Sequence, residues 1–96
     1  MVEIVRVNAL VNGKVQGVGF RAFTVYHAKQ KGIAGWVRNR QDGKVEVEAE
    51  GPKPVLEAFL KVLEQGPPLS RVTQIIVDWK DTNRQTQGFT IRPDVV

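Results

Sequence analysis

Residues 13–21 read GKVQGVGFR, and the way this stretch joins the residues before it to those after it decides the fold. It holds three of the chain's nine glycines. Upstream, Val5, Val7, Ala9 and Val11 alternate with Arg6 and Asn8, the two-residue period of a strand with one buried face. Downstream, Arg21 to Lys31 contains neither Gly nor Pro and sets Ala22, Val25, Tyr26, Ala28 and Lys29 at helical spacing. Gly32 then stands where a helix C′ residue belongs, after lysines that suit the negative end of the helix dipole. A strand that turns through glycines into a helix brings unpaired helix N–H groups to the strand's exit, where a glycine backbone can approach an anion closely. The same composition also fits a plain connecting turn, so the stretch needs support from elsewhere in the chain.

Further along, Ala34 to Arg38 predicts a short second strand, and residues 39–43 (Asn-Arg-Gln-Asp-Gly) predict a turn. Lys44 to Glu50 then alternates Val45, Val47 and Ala49 against Glu46, Glu48 and Glu50, a third strand. Gly51-Pro52-Lys53-Pro54 should break it. Val55, Leu56, Phe59, Leu60, Val62 and Leu63 recur at the spacing of an amphipathic helix, which Gly66-Pro67-Pro68 ends. Val72 to Lys80 predicts a fourth strand, and Phe89 to Arg92 at most a short edge strand before Pro93. The order is β-α-β-β-α-β, so we expect a ferredoxin-like α+β fold, with two helices on one face of a mostly antiparallel sheet of four to five strands. A right-handed crossover makes strands one and two parallel with strand three between them. Their C-terminal ends then lie at one sheet edge, roughly 10 Å apart. The glycine-rich turn leaves one end and Asn39 leaves the other.

Ninety-six residues suffice for one domain, expected to span 1–96. No apolar run approaches the roughly 20 residues of a membrane span, and the first residues lack the pattern of a secretory signal. With no cysteine and one histidine, disulfides, thiolate nucleophiles and His/Cys metal clusters are excluded, so a cytoplasmic protein without metal or cofactor is expected. The formal charge of +4 favours anionic partners. The basic residues are scattered, however, which argues against a nucleic-acid arm.

Arg21 is expected in the first turn of the first helix, where the dipole disfavours a cation unless an anion offsets it. Its guanidinium would fold over an anion held by the backbone N–H groups of Gln16, Gly17, Val18, Gly19, Phe20 and Arg21 itself. Asn39 fits ordinary turn chemistry, but across the gap from Arg21 its amide has the acceptor and donors needed to hold a water beside a phosphate oxygen. His27 falls mid-helix, away from the turn, and Ser70 has no partners for a triad. Trp36 and Trp79 read as sheet packing, and the three glutamates of strand three as a polar face that would repel phosphates.

GKVQGVGFR followed by Thr24 resembles the first signature of the acylphosphatase family, and GWVRNRQDGKVEVEAEG, residues 35–51, resembles its second. With the Gly66-Pro67-Pro68 and the closing Phe89-Thr90-Ile91, the similarity covers nearly the whole chain. The resemblance implies metal-independent hydrolysis of the carboxyl–phosphate bond of acyl phosphates. It also implies that Arg21 matches the family's phosphate-binding arginine, Asn39 its water-positioning asparagine and the Gln16–Phe20 backbone its phosphate cradle. Lys14, Gly19 and Lys31 depart from the family's usual pattern, which bears on packing and loop stiffness. Two other classes fit parts of the chain. A phosphate- or carbamoyl-phosphate-binding module, similar to the acylphosphatase-like portion of larger carbamoyl-transfer maturation proteins, is one. A ferredoxin-like RNA binder is the other, although strands one and three lack the aromatics such a surface needs. A chain ending at residue 96 favours a stand-alone enzyme, expected to be monomeric and to act on a small-molecule acyl phosphate with no nucleic-acid or membrane partner.

Overall fold

The apolar alternation at the start of the chain becomes β1 (Ile4–Lys14), an interior strand of a five-stranded sheet. The structure, a computed structural model, describes residues 2–82 and 86–94. The elements after β1 are α1 (Phe20–Gln30), β2 (Ala34–Asn39), β3 (Val45–Pro52), α2 (Lys53–Gln65), β4 (Arg71–Lys80) and β5 (Phe89–Ile91). The sheet order is β4-β1-β3-β2-β5, and among the described residues only the β2–β5 pair is parallel. Both helices pack on one face, so the fold is the expected ferredoxin-like α+β arrangement, with five strands.

The two-residue period sorts side chains to the two faces. Val7, Ala9 and Val11 of β1, Val45, Val47 and Ala49 of β3, and Val37 of β2 point under the helices and are almost wholly buried. Leu56, Phe59 and Leu63 of α2 and Phe20, Thr24 and Ala28 of α1 close the core from above. Burying one such aromatic or aliphatic side chain is worth about 1.5–3 kcal/mol. This core therefore fixes the register that places the strand ends.

The element ends differ from the sequence-based expectation in instructive ways. β1 extends beyond Val11 because the ladder with β4 continues through a bulge at Asn12/Gly13. There Gly13 takes φ 123, and a Cβ on it would lie 2.0 Å from the Arg71 carbonyl oxygen, so only glycine fits. β3 runs on to Pro52, paired with Ile4, because the last residue of a strand needs no N–H for the ladder. Helix α1 ends as the spacing predicts. Ile33 N–H donates to Ala28 O at 2.9 Å and Gly32 N–H to Lys29 O at 3.2 Å, a Schellman closure with Gly32 at φ 68.

The uncovered face carries charged and polar side chains around β3, with Leu10, Ile76 and Trp36 among them. Arg6 bonds Glu48 and Glu50, and Asn8 donates to Glu46 and Glu48. Arg38 pairs with Glu46 at 2.8 Å. The glutamate row is thus neutralised by cations on the neighbouring strands. Trp36 lies on this face, opposite Glu48, with the guanidinium groups of Arg38 and Arg92 at 4.7 and 4.6 Å from its ring. Trp79, on edge strand β4, is 37% exposed, with the Lys53 ammonium 5.2 Å from its ring, so its packing is looser than the sequence suggests. No helix is long and apolar enough to cross a membrane among the described residues.

Candidate active site

β1 and β2 are separated in the sheet only by β3, and their C-terminal ends open at the same edge. Between them lies a cleft of about 270 Å³ lined by Val15, Gly17, Gly19, Phe20, Arg21, Ala22, Asn39 and Ile91. Topology brings residues 15–22 and 39 together.

The loop from β1 to α1 is shaped by two left-handed glycines, Gly17 at φ 73 and Gly19 at φ 82. Left-handed residues of this kind recur in the loops that form anion-binding nests. A Cβ at either position would meet nothing within 4 Å, so glycine is favoured here by backbone conformation and not by crowding. Gly19 is the N-cap of α1, no side chain among the described residues caps the helix, and its first turn contains no acidic residue. The first backbone bond onto this turn runs from Phe23 N–H to Gly19 O at 3.0 Å. The N–H groups of Phe20, Arg21 and Ala22 precede the helical ladder and face the cleft's end of the dipole. Phe20 is almost fully buried, and the Thr24 hydroxyl donates to its carbonyl at 2.8 Å. The helix start is thereby anchored to the core.

Arg21 stands in this first turn, with its side chain 40% exposed and its Nη1 3.3 Å from Asp94 Oδ1. A carboxylate from the chain's C-terminal segment already occupies one position of the guanidinium fork. Asn39 ends β2 on the helix-covered side, paired with Val45, and is 9% exposed. Its Oδ1 is buried and has no hydrogen-bond partner, one of two such side-chain atoms among the described residues, the other being Asn12 Nδ2. Buried acceptors are nearly always satisfied, so an unpartnered one on a residue that lines a cleft calls for a partner.

The expected anion cradle is distributed unevenly. Gly17, Gly19, Phe20 and Arg21 line the cleft, whereas Gln16 and Val18 do not. Val18 packs against the core. The Gln16 side chain instead crosses to the β2–β3 hairpin, where its Nε2 donates to Arg40 O at 2.8 Å and Lys44 O at 2.9 Å. It ties the glycine loop to the hairpin that carries Asn39. In that hairpin Asp42 binds Arg40 and also accepts from the Lys44 N–H, which lowers its carboxyl to about 2. The same contact raises the Arg40 guanidinium. Val15, Ala22 and Ile91 line the cleft without having been expected there; nothing in their own sequence context marks them, because the β5 position that brings in Ile91 depends on tertiary pairing. His27 and Ser70 lie outside the cleft lining. His27 packs edge-on against Phe23 and Tyr26, and the Ser70 hydroxyl donates to Pro67 O at 2.7 Å.

Comparison with known proteins converges on one family. The family described as Acylphosphatase matches residues 7–91. An acylphosphatase of Salinibacter ruber is 46% identical over 87 residues, which cover 91% of this chain and 92% of that protein. The crystal structure of acylphosphatase from Bacillus subtilis superposes with a TM-score of 0.89 at 41% identity, covering 92% of this chain and 98% of that one. Full-length HypF, crystallised in a phosphate- and nucleotide-bound form, also contains this fold: TM-score 0.89 and 28% identity over 99% of this chain but 13% of that protein. With the match spanning both strand exits and the helix start between them, the chain belongs to the acylphosphatase family.

Proposed function

We propose that the cleft hydrolyses the carboxyl–phosphate bond of acyl phosphates, with the phosphate held by Arg21 and the loop N–H groups and the attacking water held by Asn39. The observation that carries this reading is the meeting, in one cleft, of the uncapped helix start with Arg21 and the buried, unpartnered Oδ1 of Asn39. An acyl phosphate dianion and water give a carboxylate and dihydrogen phosphate. The P–O bond to the carboxylate breaks, the bond to the water oxygen forms, and both water protons end on the phosphate. The leaving carboxylate has a conjugate acid of pKa about 4 and departs without protonation, so no general acid is needed.

What remains for the protein is positioning and charge stabilisation. The loop N–H groups and the guanidinium fork meet the phosphoryl oxygens, whose charge is spread in the transition state. Asn39 accepts a hydrogen bond from the water through Oδ1 while its Nδ2 is free to donate to a phosphoryl oxygen, which aligns the water in line. No side chain serves as a covalent phosphate acceptor in this scheme, and no metal is required. Asp94 must yield its place on Arg21 when the substrate arrives; an exposed ion pair worth about 0–1 kcal/mol allows that exchange. A cytoplasmic, monomeric protein remains part of the proposed reading.

Wild-type protein should hydrolyse benzoyl phosphate in the presence of EDTA, with release of benzoate and phosphate in equal amounts. Activity no higher than buffer would sink the hydrolytic reading.

A further inference from the structure

Phosphate binding leaves part of the cleft unused, its apolar side. Ile91 is paired with the wholly buried Val37, and Phe89, two residues earlier on the same face of β5, is buried. Ile91 itself is 49% exposed. The apolar row of β5 thus runs out of the core and into the mouth of the cleft. Three residues further on, Asp94 contacts Arg21 at the same rim. Arg92, between them, turns to the opposite face of the sheet and stacks on Trp36, so it does not neutralise Asp94.

We propose that the segment Ile91–Asp94 forms the acyl-selecting rim of the cleft and favours acyl phosphates whose acyl group is apolar and uncharged. This rests on the hydrolytic reading. In-line displacement places the attacking water and the leaving carboxylate on opposite sides of phosphorus. Asn39 is 9% exposed with its Oδ1 buried, whereas Ile91 is 49% exposed and the Arg21 side chain 40%, so Asn39 is assigned to the inner side of the cleft and Ile91 to its outer side. With the water on the inner side, the acyl group emerges on the outer side beside Ile91. Apolar surface on the acyl group is then removed from water against Ile91. A second negative charge on it meets Asp94, which has lost its partner because the phosphate has taken Arg21. The rim takes no part in bond making or breaking; it acts on which substrate is held.

The test measures kcat/KM for benzoyl, acetyl, butyryl and succinyl phosphates at low ionic strength, in the wild type and in the variants Ile91→Ala and Asp94→Asn. Ile91→Ala should lower the benzoyl-to-acetyl ratio about fourfold. Ile91→Thr, which keeps the branched shape on the strand, should lower it in the same sense. Asp94→Asn should raise the succinyl-to-butyryl ratio about two- to threefold, an effect that fades in ~1 M salt, where the Debye length shrinks to about 3 Å. A ratio that fails to move in either Ile91→Ala or Asp94→Asn, with the wild type active, overturns the inference and leaves the hydrolytic reading standing. A wild type inactive on all four substrates overturns both.

Discussion

At the exit of β1 the chain passes through Gly17 and Gly19 in left-handed backbone and enters a helix that no side chain among the described residues caps, whereas at the exit of β2 it stays extended to Asn39 and closes a hairpin pinned by Asp42. The first exit offers backbone N–H groups and a cation, and the second offers one side-chain amide on a stiff mount. Oriented N–H groups suit an anion with several equivalent oxygens, because many weak donors can share a spread charge. An amide with both acceptor and donor suits a water, which must be oriented and not merely attracted. On the proposed mechanism, one exit binds the phosphate and the other orients the water. Removing groups from each should therefore fail in different ways.

The largest effect is expected at the binding exit. Arg21→Ala removes the only side-chain cation lining the cleft among the described residues, and kcat/KM should fall by about 10³ or more. Weaker inhibition by inorganic phosphate should accompany the loss. Asn39→Ala should lower kcat by about 10²–10³ while phosphate still inhibits competitively with an affinity near that of the wild type. Steady-state kinetics with phosphate as inhibitor separates the two. If Asn39→Ala lost phosphate affinity as fully as Arg21→Ala, the division between the exits would not hold.

Gln16 joins the two exits, and its substitution asks whether they must be held together. Gln16→Ala removes two side-chain hydrogen bonds to the hairpin carbonyls of Arg40 and Lys44, worth about 1 kcal/mol each. We expect kcat to fall about five- to tenfold with KM little changed, since a small misplacement of loop against hairpin costs alignment more than attraction. Chemical denaturation would show the accompanying loss of stability. An unchanged kcat with lowered stability would make the strap structural alone.

Much of this architecture was legible in the chain. The alternation of Val5, Val7, Ala9 and Val11 and the helical spacing of Val55 to Leu63 depend on local periods that burial enforces, so both elements lie where the sequence puts them. The convergence of Arg21 and Asn39 at one edge follows from β1 and β2 being parallel strands joined by a crossover. What was not legible depends on contacts distant in sequence. Gln16 reads as one more cradle residue, yet its side chain finds acceptors 24 and 28 positions away. Asp94 follows a proline at the end of the chain with no local signal that it will meet a guanidinium 73 residues earlier. Trp79 has the composition of packed strand, but β4 lies at the sheet edge, where one side has no neighbouring strand among the described residues. Residue types reveal which groups the chemistry needs; they do not reveal which contacts hold those groups in place.

The smallest effect is expected at the hairpin of the orienting exit, and it is a pH effect. Asp42 is exposed but accepts from the Arg40 side chain and the Lys44 N–H, so its folded pKa, about 2, lies below its ordinary 3.8. Burial pushes Glu46 up, but hydrogen bonds from Asn8 and Arg38 and the charges of Arg38 and Arg40 outweigh it, so that carboxyl also lies below its usual value. A group whose folded pKa is depressed contributes stability that is complete above its unfolded pKa and is lost as pH falls through the folded one. The contribution of Asp42 should therefore be intact at pH 7 and fade between about pH 4 and about pH 2. Asp42→Asn should lower the melting temperature slightly at neutral pH, with the difference from wild type closing across that window as the wild type loses the carboxylate interaction that the variant already lacks. Melting curves at stepped pH decide it. A difference that persists unchanged to the bottom of the window would mean that Asp42 holds the Asn39 hairpin by its turn geometry and not by its charge.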